Sequence, residues 1–411
     1  MNEARVIVVG AGAAGIAAAR HLQRAGFNPL VLEARARIGG RAWTDVHSFG
    51  VPLDMGCAWL HSADRNPWMT YAREQGFNII ERSPVWRRRI GRDEPSEAYR
   101  AEWGAAYERN DALIQEAAAR GLDVAVADLI PQDKYRAMFD AVMTWLMGAD
   151  SERVSSLDYA RYADSEVNWS VESGLGAIIA HAATGLDIRL NTPVLQIESR
   201  ARDVLIQTNH GTIEAAAIIV TVPTNVIASG TLRFVPDLPE NYSAAFTGVP
   251  LGVANKVFFR MKPGTLPFAG TTHFVGSDQT ARTASYATRP SGHDDILLAY
   301  FGGSLAIELE QRGELEHFAR KELTDIFGAG FTDDIVDSVC TAWSTDPWSL
   351  GSYSVALPGQ ANSRHQFNEP LRERILFAGE ACSIEFFGTI HGAWFSAVSA
   401  AERALSILRT T

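Results

Sequence analysis

Cysteine is scarce in this sequence. Cys57, Cys340 and Cys382 are the only three in 411 residues. None forms a Cys-x-x-Cys pair, so the chain offers neither a disulfide framework nor a zinc site and reads as a protein of a reducing compartment. Long apolar runs are missing too: no stretch reaches the ~18 uninterrupted apolar residues of a membrane span. Basic charge is in deficit, with 37 Lys and Arg against 48 Asp and Glu and a net charge of −11. That balance argues against nucleic-acid phosphates as partners. The first strand begins at Arg5-Val6, which leaves no room for a secretory signal, and the chain stops at Arg409-Thr410-Thr411 after a predicted helix. The expectation is a cytoplasmic protein with neither membrane nor nucleic acid as partner. Oligomeric state stays open, a homodimer among the options.

What is present is an ordinary globular composition, 46% hydrophobic and 21% charged, in a chain long enough for two domains. The first stretch organises the rest. Val6-Ile7-Val8-Val9 reads as a strand buried on both faces. It runs into Gly10-Ala11-Gly12-Ala13-Ala14-Gly15, then a helix over Ile16 to Gly26 and a second strand from Pro29 to Leu32 ending in Glu33. Gly10 permits the tight turn, Gly12 lets backbone approach a pyrophosphate, and Gly15 lets helix and strand pack closely. Ala14 belongs to the same turn, whose exposed N–H groups hold phosphate charge. Glu33, with Ala34 beside it, is placed to accept hydrogen bonds from a ribose diol. Strand, turn, helix, strand and acid in this order predict a dinucleotide site without saying which dinucleotide.

Ile38-Gly39-Gly40-Arg41 follows, paired glycines beside a guanidinium, which suits backbone lying against phosphate. In Asp54-Met55-Gly56-Cys57-Ala58-Trp59-Leu60-His61, small residues beside a large aromatic suit a wall for a flat ring. The run from Val6 to His61 resembles the flavin-dependent amine oxidase family, which holds monoamine oxidases, polyamine oxidases and flavin-type histone lysine demethylases. The resemblance moves the cofactor from NAD to FAD, with Ala58 and Trp59 against it. His61, in Trp-x-His, is similar to the histidine at the substrate channel of polyamine oxidases; a core histidine bonded to a backbone carbonyl is the other reading. L-Amino acid oxidases place an arginine near here, and Ala58 and Trp59 in its stead count against an amino-acid substrate.

The stretch 66–167 is helical in pattern, with helices over Ser96 to Arg120 and Gln132 to Met147. Arg87-Arg88-Arg89 reads as a solvated face or loop, and Asp164, Glu166 and Glu172 as surface acids. Ser173-Gly174-Leu175-Gly176 opens a helix, Leu195–Ile197 and Val204–Thr208 alternate as strands, and Ile213 to Pro223 returns a buried strand. This resembles the family's second FAD-contacting segment, in which Val194 meets the adenine side through its backbone. In Asn255-Lys256-Val257, an ammonium embedded among strand formers is costly unless it faces water or a cavity. An exposed edge strand is one solution. In the family this lysine bonds through a water to flavin N5, and Lys256 takes that role by resemblance. From Arg260 to Val339 come strands near Thr271–Phe274 and Ile296–Phe301 and a helix from Ser304 to Phe327, with no chemistry expected.

Trp343 to Ser354 is a loop rich in Gly, Pro, Ser and aromatics, which suits an apolar slot for a neutral amine. It closely resembles the family's Trp-x-x-Asp-Pro-aromatic-x-x-Gly-x-Tyr pattern. By that match Tyr353 is one wall of the aromatic cage and Trp348 lies near the flavin. Monoamine oxidases bond a cysteine at the Ser352 position to the flavin, so non-covalent FAD is expected here. Ile375 to Ala381 is a buried strand ending in Gly379-Glu380, and Thr389-Ile390 opens the last helix, whose N-terminus stabilises negative charge on a reduced cofactor. In the family Glu380 binds the ribityl–phosphate region, and Thr389 and Ile390 touch the isoalloxazine. The second cage tyrosine of monoamine oxidases falls at Thr389, which favours a longer, slimmer amine.

The fold implied is α/β: a Rossmann-type FAD domain built from 1–80, 171–235 and 345–411, with an α+β substrate domain from 81–170 and 236–344. The implied activity is oxidation of an amine to an imine by hydride-equivalent transfer to flavin N5, imine hydrolysis, and reduction of O2 to hydrogen peroxide. Lys256, Tyr353 and His61 are the candidate catalytic residues, and no metal is implied. A dehydrogenase with another electron acceptor, a desaturase, a monoamine or cyclic-amine oxidase, and a non-catalytic flavin-holding scaffold are the rival readings.

Overall fold

A computed structural model describes residues 6–82 and 88–410; Arg5, Arg87 and Thr411, used in the reading above, lie outside the described residues. Val6–Val9 (β1) leads through the glycine turn into Ala13–Arg24 (α1) and on to Leu30–Leu32 (β2). Arg136–Met147 (α2) lies in the helical stretch that follows. Leu175–Ala182 (α3), Asp187–Arg189 (β3), Ala217–Val220 (β4), Ile375–Phe377 (β5) and Ile390–Thr410 (α4) complete the set that frames the site.

The five strands form one parallel sheet in the order β5-β4-β1-β2-β3. All but β3 are fully buried, which explains their continuous apolar runs rather than alternation. Ile7, Val9, Ile218 and Val220 face one core; Val6, Val8 and Ile219 face another that takes in the alanine-rich stripe of α1 and Ala397, Ala401 and Ala404 of α4. Small residues on both helices let them pack closely over the sheet. The turn between β1 and α1 therefore sits at the carboxyl edge of a parallel sheet, where such folds bind ligands.

A second sheet of six strands takes the order 335–340, 254–261, 296–302, 285–288, 273–275, 88–90. Ala254–Met261 pairs antiparallel on both sides, so Lys256 is on an interior strand rather than an exposed edge. Val257, Phe259, Ala299 and Phe301 fill one face beneath the helices Gly303–Arg312 and Leu315–Phe327. The single helix expected over Ser304 to Phe327 is two, because Gly313 takes φ +68° and ends the first. The other face packs against α2 through Tyr300, Val275 and Trp145. Arg88–Ile90 is the strand at the far edge, not a loop. No helix among the described residues is long and apolar enough to cross a membrane.

Candidate active site

The glycine turn is shaped by contacts that leave no alternative residue at Gly10 and Gly15. A Cβ on Gly15 would lie 1.8 Å from the Gly10 carbonyl oxygen, and Gly10 itself takes φ +104°. Gly12 caps α1 without a side chain and pairs with Gly39, and Gly40 sits so close that a Cβ there would be 3.3 Å from Gly12 Cα. Ala14 is buried in the first turn of α1. Two backbone segments thus meet with nothing but main chain at their junction, a cradle suited to a pyrophosphate.

Glu33 is buried beside it. Its carboxylate accepts from the N–H of Ala11 at 2.8 Å and of Arg35 at 2.9 Å. Its carbonyl accepts from Thr192 N–H at 2.8 Å, which brings Val194 to the same end of the sheet. Ala34 is half-buried next to it. The acid, the glycine cradle and Val194 are therefore assembled around one groove, and this donor and acceptor set fits a dinucleotide.

Arg41 ties the groove to the aromatic loop. Its guanidinium donates to the Ser352 carbonyl at 2.6 Å and to Glu380 Oε1 at 2.8 Å. Arg35 does the same one step away, reaching Asp346 at 2.6 Å and Ser349 at 2.8 Å. Burial alone would raise the Glu380 pKa, but Arg41, the Ser354 hydroxyl and Arg364 outweigh it and hold the carboxyl below its ordinary value. Glu380 also accepts from Gly388 N–H at 2.8 Å, which aligns the start of α4. Thr389 caps that helix, donating to Phe386 O and accepting from Gly392 N–H. Ile390 is buried in the core that holds α1.

Lys256 points away from the sheet face covered by Gly303–Arg312 and Leu315–Phe327. Its ammonium donates to the carbonyls of Asp54 and Gly56, both at 2.6 Å, in the run that ends with the half-buried Ala58 and Trp59. Burial lowers its pKa, and the neighbouring Asp54 carboxylate offsets part of that shift. Asp54 is itself fixed to the start of α3, accepting from Leu175 N–H at 2.9 Å and from Thr44. Asn255 faces the other way: its amide donates to Glu310 at 2.7 Å, and Glu310 in turn accepts from the N–H groups of Ser344 and Thr345. One strand thereby holds both the lysine and the base of the aromatic loop.

Tyr353 rises from that loop, its Cβ beside Gly388 and its hydroxyl donating to the Trp145 carbonyl of α2 at 2.7 Å. Trp348 is half-buried farther back, its N–H held by Asp346 at 2.8 Å. His61 bonds the Asn168 side chain through Nδ1 at 2.6 Å rather than a backbone carbonyl, and burial lowers its pKa. His391 next to Ile390 is fully buried and pushed down to about 4 by burial and by His61. Asp164, Glu166 and Glu172 are exposed.

The structure brings most of the predicted residues into two clusters, the groove around Glu33 and Arg41 and the slot around Tyr353 and Lys256, and places His61 with Asn168 and His391 and Trp348 with Asp346. Sequence reasoning missed Tyr300, whose hydroxyl lies 3.0 Å from that of Tyr353, although no chemistry was expected between Arg260 and Val339. It read Gly56 only as a small residue of the wall and missed its contact with the groove, where a Cβ would strike the Arg41 carbonyl at 1.7 Å. It also missed the buried pair Asp158–Arg364, whose arginine donates to Ser354 Oγ at 2.8 Å and so braces Glu380. Only the pairing of distant segments reveals these three.

The chain is similar to known proteins over nearly its whole length. Residues 13–154 and 111–405 match the model of the flavin containing amine oxidoreductases. Polyamine oxidase 4 of Oryza sativa subsp. japonica is 30% identical over 436 residues, spanning 97% of this chain and 88% of its own. Among solved structures, cyclohexylamine oxidase from Brevibacterium oxydans superposes with a TM-score of 0.82 at 21% identity, over 99% of both chains. An engineered putrescine oxidase superposes with a TM-score of 0.79 at 20% identity, over 98% of this chain and 99% of that one. Nearly the whole chain, with its groove and slot, thus belongs to the family of flavin containing amine oxidoreductases, as an FAD-dependent enzyme that oxidises an amine.

Proposed function

We propose that this enzyme is an oxidase of the polyamine class, passing electrons to O2 from FAD held without a covalent bond. The single observation that carries this reading is the Lys256 ammonium, buried on an interior strand and held by two carbonyls of the wall that ends in Ala58 and Trp59. An ammonium is costly to bury, and two carbonyls aim it while leaving its third proton for the cofactor side. The whole-length likeness to a polyamine oxidase supports the substrate class. Ser352 at the position of the flavin-linked cysteine is engaged with Ala254, donating to its carbonyl and accepting from its N–H, which supports non-covalent binding.

When bound, FAD supplies the two-electron acceptor for the C–H next to nitrogen. The protein's residues do the rest. Gly10, Gly12, Gly15 and Gly40 admit the pyrophosphate, Glu33 and Val194 take the adenosine end, and Arg41 with Glu380 fixes the middle of the groove. Ala58, Trp59, Trp348, Thr389 and Ile390 would line the site of the flat ring. Tyr353 supplies one wall of the substrate slot and orients the amine. His61, its Nδ1 held by Asn168, offers Nε2 to the channel as a neutral imidazole. Lys256, two of its protons held by the Asp54 and Gly56 carbonyls, would have its third free to hold a water at the cofactor. The groove residues fall in 1–80, 171–235 and 345–411, and the slot draws its floor from 236–344 and its cover from 81–170, a division into two domains.

The test is anaerobic titration of the purified yellow protein with putrescine, spermidine, N-acetylspermine, phenethylamine and a cyclic amine, following the visible flavin band. Bleaching by a di- or polyamine and return of colour in air is the expected result. Bleaching without return in air would make it a dehydrogenase, and no bleaching by any amine would overturn the oxidase reading.

A further inference from the structure

We infer that Tyr300 accepts a hydrogen bond from a second, non-reacting nitrogen of the substrate, so that the site selects diamines and polyamines over monoamines. This rests on the amine-oxidase reading of Tyr353 and Lys256 and extends it to the far end of the slot.

Strand register places Tyr300 directly opposite Lys256 on one side and Ser285 on the other. Residues paired across strands share a face, so Lys256 and Tyr300 stand side by side, about 5 Å apart at the backbone. That is the face covered by α2, and the opposite face is filled core. Tyr353 reaches this face at Tyr300. Its Cβ end abuts Gly388, where Glu380 and α4 meet the cofactor groove, and its hydroxyl end meets the Trp145 carbonyl. Tyr300 joins Tyr353 at the hydroxyl end, one ring's length away from the cofactor side.

Each hydroxyl has one proton and two lone pairs. The proton of Tyr353 is committed to Trp145 O at 2.7 Å. Either oxygen could donate in the 3.0 Å contact between the two hydroxyls; with the Tyr353 proton so committed we assign that bond to the Tyr300 proton, Trp145 O lying farther off at 3.4 Å. Both phenols stay protonated at neutral pH, since burial pushes Tyr300 up to about 12 and Tyr353 well above its ordinary value. The chain of hydroxyls is thus directed inward, from Tyr300 to Tyr353 to the Trp145 carbonyl. What it offers outward is the lone pairs of Tyr300. They match an N–H donor, an amine or ammonium, and reject a carboxylate or carbonyl, which would face them acceptor to acceptor. Both residues are half-buried rather than sealed in the core, and aromatic ring faces favour a cation.

The test compares kcat/KM for putrescine and n-butylamine, which differ only in the second nitrogen. Wild-type enzyme is expected to favour putrescine. Tyr300→Phe keeps the ring against α2 and removes the acceptor, and should lower the putrescine-to-butylamine ratio by about tenfold or more. A wild-type ratio at or below one overturns the inference whatever the variant does. So does a Tyr300→Phe ratio equal to wild type. Failure of every amine to bleach the wild-type flavin would overturn the oxidase reading as well, whereas turnover with an unchanged ratio overturns this inference alone.

Discussion

Lys256 Nζ and the carbonyl oxygen of Asp54 lie 2.6 Å apart although they are 202 residues apart in the chain. The contact joins the strand that carries the lysine to the loop that approaches the cofactor groove. It also leaves the Asp54 carboxylate free to hold the start of α3. One residue thus orients the lysine with its main chain and a helix with its side chain.

Lys256→Met tests the lysine. The thioether fills the same space without a charge, so the fold and the flavin should be retained. Reoxidation of the reduced flavin by dioxygen should slow by at least about tenfold, with a smaller change in anaerobic reduction by amine, both measured by stopped-flow absorbance. Burial lowers the lysine pKa, so the wild-type alkaline limb should fall below the ordinary lysine range of about 10.4. The variant has no proton to lose at this position, and its alkaline limb should vanish.

Gly15→Ala should abolish flavin retention, because the added methyl meets the Gly10 carbonyl at 1.8 Å. Forcing a carbon into filled space costs ~1–3 kcal/mol and moves the backbone of the glycine turn. Gly104→Ala is the contrast: nothing lies within 4 Å of its new Cβ, inside a helix. It should raise stability by ~1 kcal/mol. The flavin-to-protein absorbance ratio and the melting midpoint decide both.

Glu380 predicts an acid limb. Its pKa in the fold lies below that of an unfolded glutamate, so between the two values the unfolded chain binds more protons. The stability it contributes is complete above about pH 4.3 and is lost as pH falls through the depressed value. Glu380→Gln has no such titration. Its melting midpoint should start lower at neutral pH and fall less steeply on acidification than that of wild type.

Arg364 and Asp158 form a fully buried ion pair with bonds at 2.7 and 2.8 Å, and Arg364 also lies 4.1 Å over the Phe387 ring. Arg364→Met leaves a buried carboxylate without its partner and should cost ~3–5 kcal/mol. Adding Asp158→Leu removes the stranded charge, so the double variant should melt above Arg364→Met alone. If the single variant melts like wild type, the pair is not what braces Ser354 and Glu380.

Much of the groove was legible in the sequence because its parts are local. The strand β1, the Gly10 turn, α1 and Glu33 occupy one continuous stretch, and their spacing alone dictates a crossover with a phosphate cradle. The aromatic loop around Tyr353 was legible for a similar reason, since its composition is unusual over a few residues. Helix ends were less so: Gly313 divides a helix read as one, because a glycine at positive φ ends a helix without breaking the apolar period. The roles of Tyr300, Asp54 and Arg364 were decided only by tertiary structure. Tyr300 takes its place from the register that sets it opposite Lys256, Asp54 from the ammonium its carbonyl holds, and Arg364 from the buried Asp158. Periodicity tells which face of a strand a side chain takes, but not which strand lies next to it. The sequence by itself determined a dinucleotide fold and an unusual aromatic loop; pairing of the six-stranded sheet decided what stands beside Tyr353 of that loop, because sheet order is set by packing between segments that carry no mark of one another.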